Sequence, residues 1–155
     1  MANTLSPNDK SSATIALVAP AWLQEALQIL LDGTRGVLLI ASSESVDSLT
    51  RLEMEGSPDF VLLDADRDSA IAVSEVKRIN HSWPKTDCIA LVDNTRQIPL
   101  LKDVGVSLTL LKGAPPKRLR ELLQVLAEHK LRSQTAFRPW PLGYNRSSSG
   151  NEPQT

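Results

Sequence analysis

The chain has 155 residues, 41% apolar, 23% charged and 4% aromatic, a size and balance that suit one domain with flanking segments rather than two full domains. Seventeen Lys and Arg against eighteen Asp and Glu leave a formal charge of -1, too small for a global field that would recruit nucleic acid or an anionic membrane. No apolar run approaches the roughly 20 residues that span a bilayer. The opening MANTLSPNDKSSA lacks the apolar stretch of a secretory signal, and the single Cys88 excludes an internal disulfide or a Cys/His zinc cage, so the expected location is cytoplasmic.

Residues 1–13 are polar and read as a flexible segment; a domain is expected over 14–129, and a Pro/Ser-rich tail over 130–155. Within the domain a first apolar run, Ile15-Ala16-Leu17-Val18, is followed by a helical stripe of Leu23, Ala26, Leu27 and Leu30. A second run, Val37 to Ala41, precedes a stripe of Val46, Leu49 and Leu52, and a third, Phe60-Val61-Leu62-Leu63, precedes Ala72, Val76 and Ile79. The fourth run is Cys88 to Val92; in the helix after it, Pro99 fits a first turn. The fifth, Val106 to Leu111, leads to Leu119, Leu122, Leu123 and Leu126. Runs without polar alternation suit strands covered on both faces, and single apolar stripes suit helices that cover them. Punctuation at Asp32-Gly33, Gly56-Ser57-Pro58, Gly105 and Gly113-Ala114-Pro115-Pro116 falls at the joins. The expected fold is α/β: a (βα)5 doubly wound parallel five-stranded sheet in a three-layer sandwich. Its functional crevice lies outside the carboxyl ends of the strands.

The residues at those ends are Ala19-Pro20, Ser42-Ser43, Asp64-Ala65-Asp66, Val92-Asp93-Asn94 and Lys112-Gly113. The (βα)5 order, the run Pro58-Asp59-Phe60-Val61-Leu62-Leu63-Asp64, and Gly105 with Lys112 together resemble the receiver domain of two-component response regulators, the CheY-like, flavodoxin-like fold. The resemblance covers residues 14–129, about three quarters of the chain. It implies that Asp64 stands where the family carries its phospho-acceptor and Lys112 where it carries the lysine that contacts the phosphoryl oxygens. Elsewhere the chain departs from the pattern. The acidic pair that helps bind Mg²⁺ is replaced by Ala19 and Pro20, the hydroxyl switch position by Val92, and the aromatic switch position by Thr109.

Asp64 and Lys112 balance each other's charge without a metal, and one carboxylate is a poor Mg²⁺ site. Without the ion, phosphoryl transfer loses much of its electrostatic stabilisation, and Val92 has no hydroxyl with which to report it. The expectation is an atypical receiver, or pseudo-receiver, that has no cofactor and no metal and works through contact with a signalling protein or a second copy of itself. The alternatives are a phosphorelay regulator modified on Asp64 by a histidine kinase with Mg²⁺, and a small-molecule-binding module in the same crevice.

Asp66 and Asp68 are candidates to restore metal affinity, against which Asp68 reads as a helix N-cap. Trp22 could plug the emptied acidic site or pack on its own helix. Cys88 reads as a buried inert thiol, and His129 as a residue answering the dipole at the end of the fifth helix. Phe137, Trp140 and Tyr144 concentrate half of the aromatic residues in the tail, which suits docking on a partner or on the domain itself. No phosphate-binding glycine loop and no G-x-S-x-G elbow is present, so an enzyme is not expected. The residues after His129 lack the periodicity of a DNA-binding helix-turn-helix, which leaves protein contact as the expected output.

Overall fold

The computed structural model describes residues 11–136 apart from 53, 55 and 67. Its elements are β1 (Ala13–Val18), α1 (Ala21–Asp32), β2 (Val37–Ser43), α2 (Val46–Thr50), β3 (Phe60–Asp64), α3 (Ser69–Ser82), β4 (Asp87–Val92), α4 (Ile98–Asp103), β5 (Leu108–Leu111) and α5 (Pro116–Ala136), with a 3-10 turn at Thr95–Gln97 leading into α4. The strands form one sheet in the order β2-β1-β3-β4-β5, and every neighbouring pair is parallel. This is the doubly wound (βα)5 sandwich that the sequence predicts. The strand order reverses beside β1, which opens a crevice above β1 and β3.

Each central strand serves two cores through its period of two. Ile15, Leu17, Phe60, Leu62, Ile89 and Leu91 meet Leu27 and Leu31 of α1 and Leu119 and Leu123 of α5. Ala16, Val18, Val61, Leu63, Ala90 and Val92 meet Val46 and Leu49 of α2, Val76 and Ile79 of α3, and Leu101 of α4. Continuous apolar runs in β1, β3 and β4 follow from that double cover.

The edge strand β2 departs from the expectation. Val37 and Leu39 pack towards α1 and α5, but Leu38 is 54% exposed and Ile40 is also exposed. The cause is the brevity of α2: five residues rise only about 7 Å, against about 23 Å for the seven residues of β2. Leu52, expected on the α2 stripe, lies beyond its end and is exposed. In α1 the stripe is rotated, with Leu31 buried and Ala26 exposed. The boundary expected at 129 falls within α5, which continues to Ala136, so His129 lies two turns short of its end; His81, in the last turn of α3, has the position facing a helix dipole.

The amino end of β3 is tied to distant segments by Asp59. Its Oδ2 accepts from the Thr14 N–H at 2.8 Å and the Thr14 hydroxyl at 3.2 Å, and its Oδ1 accepts from the Gln134 amide at 2.8 Å. Gly105, ahead of β5, has φ +104, and a Cβ there would lie 2.8 Å from the Asn80 Nδ2 that donates to the Val104 carbonyl. Both features require Gly at this join. Cys88 is buried within β4, and burial, together with the charges of Glu75 and Asp87, pushes its thiol up to about 12.

Candidate functional site

β3 ends on Asp64, whose residue is 3% exposed. Two residues on, the chain has passed Ala65, whose N–H donates to the Leu91 carbonyl at 2.9 Å, and Asp66 turns back on the strand end, its N–H donating to Asp64 Oδ1 at 3.2 Å. The Asp68 side chain accepts from the Ala70 N–H at 2.7 Å and starts α3, so it is the N-cap and not a member of the pocket. Lys112 follows β5; its N–H donates to the Val92 carbonyl at 2.8 Å, which fixes its backbone beside β4.

The Lys112 ammonium joins the two acids. Its Nζ lies 2.6 Å from Asp64 Oδ1 and 2.8 Å from Asp66 Oδ2, with the lysine side chain 19% exposed. Asp66 Oδ1 accepts from the Asp93 N–H at 2.9 Å, so this one carboxylate bridges the ends of β4 and β5. The pairing of Asp64 with Lys112 alone is thereby corrected: Asp66 is a full partner, the lysine is shared by two carboxylates, and the exposed Asp93 joins them through its main-chain N–H. Strand periodicity gives no signal for this, because Asp66 lies two residues past the end of β3 and is aimed by the turn that bonds its N–H to Asp64.

Electrostatics follow the geometry. Burial acts to raise the Asp66 carboxyl, but Lys112 and the Asp93 N–H outweigh it and hold it below the usual carboxylate range. Asp93 is raised, first by its hydrogen bond with Asp66 and then by the charges of its acidic neighbours. Burial works against the charge on Lys112, and contact with Asp64 and Asp66 reverses that and raises it.

The other positions singled out in the sequence fall around this group. Ala19 is buried and Pro20 precedes α1 as its N-cap residue; neither offers a carboxylate. Gln24 donates to the Ala19 carbonyl at 2.8 Å. Val92 is buried at the end of β4, and Thr109 is half-buried in β5. Trp22 neither plugs the crevice nor packs down on α1, being 75% exposed. Phe137, Trp140 and Tyr144 lie outside the described residues.

Mg²⁺, which the resemblance implies, does not fit these residues. It takes near-octahedral oxygen ligation at about 2.1 Å. Asp64 Oδ1 already faces an ammonium and receives an N–H, Asp66 Oδ1 accepts from the Asp93 N–H, and Asp66 Oδ2, buried and without a hydrogen-bond donor aligned on it, is held by the Lys112 ammonium as an ion pair at 2.8 Å. Among the described residues no group of three or more His, Cys, Asp or Glu is placed to hold a metal ion. No helix among them is long and apolar enough to cross a membrane.

No protein-family model matches the chain, and no curated protein matches it. Solved structures do. The response regulatory domain of protein mrkE from Klebsiella pneumoniae superposes with a TM-score of 0.65 at 15% identity, covering 77% of this chain and 98% of that one. A LuxR family DNA-binding response regulator from Silicibacter pomeroyi gives 0.62 at 22% identity, over 76% of this chain and 93% of that one. The response regulator RcsB of Salmonella typhimurium gives 0.64 at 15% identity, with 77% of this chain matching 60% of that longer one. The strand order, the two helical layers and these superpositions together establish that the chain has the CheY-like fold of response-regulator receiver domains.

Proposed function

We propose that this chain is an atypical receiver that acts in signal transduction through protein contacts and independently of Mg²⁺-dependent phosphorylation. The observation that carries the reading is the double ion pair of Lys112 with Asp64 and Asp66, at 2.6 and 2.8 Å, where a phosphoryl acceptor would need its lysine and a metal free to receive developing charge. Ala19 and Pro20 supply no acidic ligand, and Val92 offers a methyl group in place of a hydroxyl. The partner is a signalling protein or a second copy of the chain. Incubation with acetyl phosphate and Mg²⁺, followed by intact-mass measurement, tests the reading. The expected spectrum is that of the unmodified chain, and stoichiometric phosphate on Asp64 overturns it. That overturning result would establish the competing reading, a phospho-accepting regulator, which the burial of Asp64 at the end of β3 beside a lysine supports.

A further inference from the structure

We propose that Asp66 is a resident anion: its carboxylate gathers Lys112 and the loop after β4 around the end of β3, and so holds that loop in one position with no added group. The proposal rests on the reading that the pocket works without Mg²⁺-dependent phosphorylation, and it names what replaces the modification.

Three observations carry it. The two oxygens of Asp66 are divided between two separate pieces of chain, Oδ2 to Lys112 Nζ at 2.8 Å and Oδ1 to the Asp93 N–H at 2.9 Å. A monodentate surface pair would not join β3, β4 and β5 in this way. The carboxylate is also preorganised, because the Asp66 N–H is bound to Asp64 Oδ1 at 3.2 Å and only Ala65 separates Asp66 from the strand. Little freedom is lost when it closes on its donors.

The tie also lands where it can be transmitted. Val92 is buried and has no polar atom in its side chain, so the adjacent main-chain N–H of Asp93 takes up the link to the anion. Next, Asn94 caps the 3-10 turn Thr95–Gln97 by accepting from the Arg96 N–H at 2.9 Å, and that turn runs directly into α4. Fixing Asp93 therefore fixes the start of α4. In the domains that this chain resembles, the fifth-strand lysine contacts a phosphoryl group carried by the third-strand acid; here the cation is already engaged by a carboxylate two residues from that acid.

Amide exchange and ¹H–¹⁵N spectra of the full chain, compared with Asp66→Ala and Asp66→Asn, test the tie. In Asp66→Ala the Asp93 amide should exchange roughly tenfold faster, and the signals of residues 93–97 and 112 should shift, while amides of β1 and the amino end of β3 keep their protection. Asp66→Asn retains one acceptor oxygen and the native shape, so its effect should be intermediate. It decides the matter if the alanine variant fails to fold. Unchanged exchange and shifts at 93–97 in a folded variant would overturn the proposal and leave the phosphorylation-independent reading intact. Phosphate incorporated by the unsubstituted chain would overturn that reading, and the loop measurement would still stand.

Discussion

β3 carries an aspartate at its entry and another at its exit, and different chemistry holds the two. Asp59 takes hydrogen bonds from the Thr14 N–H, the Thr14 hydroxyl and the Gln134 amide, partners 45 and 75 residues away in the chain. Asp64 takes the Lys112 ammonium, which a second acid shares. The entry end fastens distant segments to one another through a main-chain N–H, a hydroxyl and an amide. The exit end instead shares a lysine between two acids. The same residue type thus serves architecture at one end and a charge balance at the other.

The largest effect should come from Lys112→Ala. It leaves two largely buried carboxylates without their cation, a change worth about 3 kcal/mol after allowance for the partial exposure of the lysine, read from urea denaturation at neutral pH. The deficit should shrink on acidification, as Asp66 takes up a proton that Lys112 no longer opposes. Asp59→Ala should cost less, about 2 kcal/mol, by stranding the Thr14 N–H. If it cost more than Lys112→Ala, the contrast between the two ends would fail. Gln134→Ala, which removes one exposed donor at the entry end, should cost about 0.5–1 kcal/mol. The smallest effect belongs to Asp93→Asn, which should raise stability slightly at neutral pH.

The pH dependence of that last variant follows from the two neighbouring acids. Asp93 is raised above 3.8, so its favourable contribution is complete below that value and is lost as pH rises through its folded pKa. Asp66 is lowered, so its contribution is present above 3.8 and is lost as pH falls through a value beneath it. Asp93→Asn should therefore gain over the parent chain at neutral pH, and the gain should vanish below 3.8, where Asp93 is protonated in both folded and unfolded states. Paired melting curves across this range would sharpen the account of the exit end.

The central part of the fold was legible because β1, β3 and β4 are covered on both faces, and their uninterrupted apolar runs record that cover. β2 has a run of the same kind, but its exposure depends on the length of α2. The stripe of Val46, Leu49 and Leu52 reads as a longer helix than the five residues that form. At the site, Asp64 and Lys112 were legible as strand-end residues that the receiver resemblance singles out. Asp66 was read at the strand end as a candidate metal ligand and not as a partner of Lys112, because strand periodicity stops with the strand, and only the turn that bonds its N–H to Asp64 aims its carboxylate at Lys112. Asp59 was legible only as part of a motif; its ties to Thr14 and Gln134 depend on where α5 runs, far along the chain.

The burial of Cys88 has a practical corollary. It is the sole sulfhydryl of the chain, sealed in the middle of the sheet with its ionisation suppressed to about 12. An alkylating reagent can reach it only when β4 parts from its neighbours, so the labelling rate measures how often the interior opens, with no probe to engineer.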